Sequence, residues 1–239
     1  MNVLIVGGNG VQMKFNSVRA STLASWFWCS EKCGMSVMGL EAPQTEAMFR
    51  GRDIHRKMER ALTPEDVEFR EYLNFPLRAE VDGIVIIGTP DDIIISDNIL
   101  HDKKVLEVVE IKSAHYVSRY VISPATFQLL TYAYLLEKYL PYKNYIMSRL
   151  HRLIFIDSKS ENIILDKLIP YDTVGVEKQI VEILKNLKSD VFIPCQPFKC
   201  KQCPDIYKRN CITFVTRLKD TFGEDMVAKK EGYIKEIME

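Results

Sequence analysis

Charge of one sign is what this sequence does without: 32 Lys and Arg are matched by 32 Asp and Glu over 239 residues, leaving a formal net charge of zero. Proteins that coat nucleic acid through general electrostatics carry a basic excess, so that class is excluded. A nuclease is not, because an acidic metal site offsets basic residues elsewhere. No apolar run approaches the ~20 residues of a membrane-spanning helix, and the start, Met1-Asn-Val-Leu-Ile-Val, lacks the basic region and small-residue cleavage site of a secretory signal. The expectation is a cytoplasmic protein with no membrane partner. Internal repeats and low-complexity stretches are also lacking. Gly7-Gly8-Asn9-Gly10 follows an apolar run but does not complete the GxGxxG pattern of a dinucleotide fold, so a hairpin turn or an irregular start is the better reading. Basic residues cluster only locally, at Arg50-Gly-Arg52, His55-Arg-Lys57 and Lys199 to Arg209.

Periodicity gives an order of elements. Leu23, Trp26 and Phe27 predict a helix over 17–30, and a second is expected over 44–62, stopped by Thr63-Pro64. From 66 to 112 the pattern turns to β: Val67, Phe69, Tyr72, Val81, Ile84 to Ile87 and Ile93 to Ile95 mark strands, with turns at Asn74, Asp82-Gly83 and Thr89-Pro90. Val105-Leu-Glu-Val-Val-Glu-Ile111 is apolar on both sides of its charges, as in a buried sheet. A strong helix is expected over 124–140, bracketed by Pro124 and Pro141, then strands over 143–156 and 161–169, a helix over 173–188 and a charged C-terminal helix over 216–239. Helices, a β-meander and more helices imply a mixed α and β fold whose sheet is flanked by helices.

Within this frame, Glu110-Ile-Lys112 is a chemical candidate. Residues i and i+2 of a strand share a face, so the carboxylate and the ammonium point together. Asp91 follows the Gly88-Thr-Pro90 turn, where a strand can bring it to the same place. Converging carboxylates bind hard cations that polarise phosphate and activate water, and a lysine beside them orients that water or stabilises transition-state charge. The Ile111 carbonyl is a further candidate ligand. Taken singly each motif is weak, since most Glu-x-Lys pairs are solvated strand faces. His55, which shares a helix face with Glu59, reads equally as a structural histidine, and Gln128 with Tyr132 as a polar helix edge. Asp92 adjoins Asp91 and competes with it; Asp91 is preferred because it directly follows Pro90.

Six cysteines are present, Cys29, Cys33, Cys195, Cys200, Cys203 and Cys211. Without a secretory signal, close cysteines read as metal ligands. Cys200-x-x-Cys203 with Cys211 supplies three thiolates, suited to zinc or to an iron–sulfur cluster. Structural zinc usually draws on two local pairs, and no second C-x-x-C is present.

In order, Gly51-x-x-x-His55, Gly88-x-Pro90-Asp91, Glu110-Ile-Lys112 and Gln128-x-x-x-Tyr132 resemble the motif series of the RecB-like branch of the PD-(D/E)xK nucleases. One early cysteine, in Cys29-Ser-Glu-Lys32, and three late ones after Pro194-Cys-Gln-Pro197 are similar to its iron–sulfur members, the CRISPR-associated exonucleases and, more distantly, the AddB-type nuclease domains. The resemblance spans about residues 17–215; the domain is taken as 1–215, with 216–239 a helical extension. It implies a restriction-endonuclease-like core and Mg²⁺ or Mn²⁺ held by His55, Asp91, Glu110 and the Ile111 carbonyl. Lys112 would be the catalytic lysine, with Gln128 and Tyr132 positioning it or the DNA. It also implies a four-iron rather than a two-iron cluster on Cys29, Cys200, Cys203 and Cys211, with Cys33 and Cys195 as competing ligands. Such a cluster staples the two ends of the chain together and contributes to folding. The implied activity is exonucleolytic hydrolysis of DNA from single-stranded ends, in CRISPR spacer acquisition beside integrase proteins, or in viral or repair processing. A catalytically inactive DNA-binding module on the same fold is the alternative. Two features depart from the family pattern: the seven-residue gap between Cys203 and Cys211, and Ser96 to Lys104, which reads as an inserted charged hairpin tip.

Overall fold

The computed structural model describes residues 3–7, 10–44, 46–58, 69, 75–100, 103–140, 145–189, 191–192 and 203–211. Its centre is a mixed sheet built around one strand, β7 (Lys103–Ala114). On one edge β6 (Asp92–Leu100) runs antiparallel to it. On the other, β8 (Tyr145–Met147) and then β9 (Leu150–Asp157) run parallel, and β10 (Ile163–Pro170) closes the sheet antiparallel to β9. A smaller sheet places β5 (Ile84–Gly88) between β3 (Ser17–Arg19), which is parallel to it, and β4 (Leu77–Val81). The apolar start forms its own hairpin, β1 (Val3–Gly7) against β2 (Gly10–Lys14), which accords with a turn at the glycine cluster.

The alternation of β7 decides where the chemistry sits. Leu106 and Val108 join the main core, whereas Val109 and Ile111 form a separate cluster on the other face with Ile54 and Ile156. Ile54 belongs to α3 (Glu46–Met58). The main-core face is covered by the long helix α4 (Arg119–Tyr139), buried from Leu129 through Leu136 at all but one position, and backed by α5 (Thr173–Lys188), which buries Val176, Ile180, Ile183, Leu184 and Leu187. Even-numbered residues of β7 therefore look towards α4, and odd-numbered ones towards α3.

Several local expectations are corrected. The predicted helix over 17–30 is three pieces: β3, a short α1 (Ala20–Ala24) and a 3-10 turn (Ser25–Phe27). Pairing with Val85 to Ile87 recruits Ser17 to Arg19 into the sheet, a tertiary contact that overrides local helical spacing. An extended Cys29 then restarts the chain into α2 (Ser30–Val37). Phe69, expected in a strand, is helical and buried against the Tyr145 ring; Val67 and Tyr72 lie outside the described residues. The long helix starts five residues before Pro124, with Val121 and Ile122 both donating to the Ser118 carbonyl. The proline removes one donor near the helix start, a cost outweighed by the buried stretch that follows. The predicted strand over 143–156 breaks at Ser148 and Arg149. Past the break Val108 N donates to His151 Nδ1 (3.1 Å), so a fully buried imidazole takes the place of a sheet carbonyl. Burial pushes its pKa down to about 4, keeping the ring neutral and able to accept.

Asp82-Gly83 turns the β4–β5 hairpin with positive φ at both residues, as a two-residue turn requires. The inserted segment at 96–104 extends the β6–β7 hairpin, with Leu100 opposite Lys103. Among the described residues no helix is long and apolar enough to cross a membrane. The expected C-terminal helix lies outside them.

Candidate active site

Asp92 pairs with Val109, so the preceding residue, Asp91, sits at the edge of β7 beside Glu110 and Ile111. Its Oδ2 accepts from Ile111 N at 2.7 Å. Asp92 instead turns onto the chain that follows it, accepting from Ile93 N at 2.9 Å. Register thus separates two adjacent carboxylates. In an extended strand the N–H and C=O of one residue point the same way, so the Ile111 carbonyl is directed to this edge too.

Glu110 and Lys112 lie on the α4 side of β7. The Glu110 carboxylate is buried, neither oxygen has a hydrogen bond of ordinary geometry, and Lys112 Nζ reaches Oε1 as an ion pair. The Lys112 side chain keeps 30% of its exposure against 1% for Glu110, so the site opens at the lysine. Burial pushes the Glu110 carboxyl up to about 8; the Lys112 charge opposes this and the nearby Asp91 carboxyl adds to it. Two carboxyls placed this close, one of them fully buried, resist sharing negative charge. A hard cation between them reverses that penalty, and the donor set is the oxygen-rich one that Mg²⁺ or Mn²⁺ takes.

From α4, Gln128 Nε2 donates to the Tyr132 hydroxyl at 2.8 Å. Burial, then the Glu110 charge, raise the Tyr132 phenol well above its ordinary range, so it remains a protonated donor. Gly88 explains how the ring fits. A Cβ there would lie 2.5 Å from Tyr132 Cε1 and 2.7 Å from Cδ1. The glycine that begins the Gly-x-Pro-Asp motif is the space the tyrosine occupies.

The structure therefore brings Asp91, Glu110, Ile111, Lys112, Gln128 and Tyr132 together. His55 is different. Its helix, α3, packs on the opposite face of β7 through Ile54, and Gly51 approaches so closely that a Cβ would lie 2.9 Å from Ser113 Oγ. The His55 side chain lies outside the described residues, as does Glu59. Gly51 is a contact that the Gly-x-x-x-His spacing contained without revealing what it touched.

Of the cysteines, Cys195 and Cys200 lie outside the described residues. Cys203 and Cys211 flank α6 (Asp205–Asn210) and share a small apolar cluster with Met35 of α2 and Tyr207. The Tyr207 hydroxyl lies 3.2 Å from Ser36 Oγ and accepts from Ala42 N, docking α6 on α2, whose N-cap is Cys29. Cys33 sits in the main core, and burial pushes its thiol up to about 12, so it remains an uncharged packing group. Among the described residues no three His, Cys, Asp or Glu side chains are grouped to hold a metal ion.

No protein-family model matches the chain. No curated protein matches it either. Among solved structures it is similar to that of SSO0001, at 17% identity over 84% of this chain and 88% of that one, with a TM-score of 0.47. It is also similar to a candidate exonuclease from Eubacterium rectale, at 12% identity over 82% of this chain and 88% of that one, with a TM-score of 0.44. Likenesses this distant establish neither family nor activity, and the functional reading comes from the residues.

Proposed function

We propose that the chain is a Mg²⁺- or Mn²⁺-dependent nuclease that hydrolyses DNA phosphodiester bonds from single-stranded ends. One observation carries this reading: a fully buried Glu110 carboxylate, ion-paired with the partly open Lys112, faces a second carboxyl, Asp91. A purely structural role does not call for a second carboxyl beside a buried glutamate, because each raises the cost of ionising the other. Asp91, Glu110 and the Ile111 carbonyl would hold the cation, with His55 as a further ligand. When bound, such a cation supplies Lewis-acid polarisation of the phosphate and makes water more acidic. Lys112, at the mouth, orients the attacking water and offsets charge developing on the phosphate. Tyr132, held by Gln128, presses against the Gly88 backbone and fixes the wall opposite Glu110.

The preference for single-stranded ends, and a setting in spacer acquisition with integrase partners, are supported by the motif order alone. The cysteine frame is proposed as an iron–sulfur centre on Cys29, Cys200, Cys203 and Cys211, with a structural role. Its support is the docking of α6 on α2, which ties late cysteines to an early one. The test is purified protein on end-labelled single-stranded DNA with and without Mn²⁺. Cleavage that needs the metal and falls in Asp91→Ala and Lys112→Ala is expected. DNA binding without cleavage under any metal would instead favour an inactive scaffold. A brown protein whose colour fades in Cys203→Ser is the expected sign of the cluster.

A further inference from the structure

Two arginine–aromatic pairs lie outside the residues assigned so far, one on an exposed ring and one on a half-buried ring. On α3 the Arg52 guanidinium sits 4.6 Å from the centroid of the Phe49 ring, which is 51% exposed. At the start of α4 the Arg119 guanidinium sits 4.8 Å from the Tyr120 ring and donates to its hydroxyl. Between the end of β7 and α4, Tyr116 is 71% exposed. These features lie towards one end of the sheet, the first pair on the α3 face of β7 and the others where the chain passes from β7 into α4. Gly51 brings α3 against Ser113, and the chain leaves β7 at Ala114, passes through Tyr116 and enters α4. Lys112, the open member of the candidate site, immediately precedes Ser113.

Three acidic groups at this end have partners: Glu161 has Lys57 (2.6 Å), Glu46 has Arg50 (3.6 Å), and Asp157 has Ser160 Oγ (2.7 Å) and His115; Asp53, next to Arg52 on α3, is a further exposed carboxylate. The guanidinium groups here hold glutamine, phenol and ring partners rather than buried carboxylates: Arg52 donates to Gln44 Oε1 and Arg119 to Tyr120. They keep positive charge beside the exposed Phe49 ring and the half-buried Tyr120 ring. Stacking platforms interleaved with cations are how proteins hold single-stranded nucleic acid without reading its sequence.

We propose that Phe49, Tyr116 and Tyr120, with Arg52 and Arg119, form a track that carries single-stranded DNA around this end of the sheet to Lys112. Bases stack on the three rings, and the two guanidinium groups take the phosphates. Four residues of extended strand separate Glu110 from Ala114, about 13 Å, so the track engages the strand a few nucleotides from the bond to be cut. This rests on the nuclease reading above for its direction towards Lys112, but not for binding itself.

The test uses the full chain in EDTA, where the proposed reaction is off, and follows the anisotropy of a fluorescein-labelled oligo(dT). Tyr116→Ala and Phe49→Ala are each expected to weaken binding about tenfold, the loss of one base stack, while Tyr116→Phe binds as wild type does. Arg52→Gln and Arg119→Gln should each lower the slope of log K against log salt by about 0.7, one phosphate contact on a single strand. Wild-type affinity in both alanine variants overturns the track, as does tighter binding of oligo(U) than of oligo(dT). Hydrolysis of bis(p-nitrophenyl) phosphate by the wild type with Mn²⁺ reports separately on the nuclease reading. Oligo(dT) binding that follows these residues without such hydrolysis upholds the track and removes the nuclease. Hydrolysis without oligo(dT) binding does the reverse.

Discussion

Replacing Glu110 with glutamine should make the metal-free protein more stable, and increasingly so as the pH rises. The carboxyl titrates near 8 in the folded chain against 4.5 when exposed, so the folded state holds its proton more tightly. Its contribution is unfavourable above pH 4.5, grows with pH, and levels off above pH 8. By linkage the group costs about 1 kcal/mol at pH 5, about 3 at pH 7 and on the order of 5 at pH 9. Glutamine removes the slope while keeping the shape, and Lys112 can turn to solvent because its side chain is partly open. The quantity to follow is the difference between Glu110→Gln and wild type in urea denaturation at each pH. Absolute stabilities mix in His151, whose slope between pH 4 and 6.5 has the opposite sign. The expected difference widens by about 2–3 kcal/mol between pH 5 and pH 7. Mg²⁺ at a hundredfold its dissociation constant should then add about 2.7 kcal/mol to the wild type and almost nothing to the variant, because the cation binds the ionised carboxylate. Parallel pH curves for the two proteins, or equal stabilisation of both by Mg²⁺, would refute the assignment of Glu110 to a buried cation site.

Gly88→Ala should push the Tyr132 ring off its position. Overpacking of this kind costs about 1–3 kcal/mol, and a misplaced wall is expected to lower cleavage of end-labelled DNA about a hundredfold; wild-type stability and turnover in that variant would remove Tyr132 from the site. His151→Asn keeps an acceptor for Val108 N but does not titrate. The histidine pKa is depressed in the fold, so its contribution is intact above pH 6.5 and lost as the pH falls towards 4. The wild type should therefore lose about 3 kcal/mol by pH 4 that the asparagine variant keeps, read as the shift between their acid-unfolding midpoints.

The strand bearing Glu110 and Lys112 and the helix bearing Gln128 and Tyr132 were legible because both are long, strongly apolar and periodic. The shared face of Glu110 and Lys112 follows from parity alone. Which carboxylate adjoins Glu110 depends on the pairing of Asp92 with Val109, and strand register is a long-range property that local pattern does not carry. The same limit explains β3: nothing within 17–30 announces that Val85 to Ile87 will pair with its first three residues. The break between β8 and β9 was hidden because a histidine ring stands in for a backbone acceptor, a substitution with no periodic signature. Phe49 and Tyr116 carry no sequence signal of their own, because isolated exposed aromatics look like any other surface residue until the fold sets them towards the end of β7 that follows Lys112.

The extended β6–β7 hairpin has a consequence for engineering. Its tip lies at the Leu100–Lys103 end of the strand pair, whereas Glu110 is held farther along between Asp91 on one edge and Leu153 of β9 on the other. A slip by one residue would exchange Glu110 for Val109, but the parallel neighbour pins the strand independently of the tip. Length can therefore change at that end of the strand pair without disturbing the site, so a fluorophore tag or an affinity handle inserted between Leu100 and Lys103 is expected to leave the site intact.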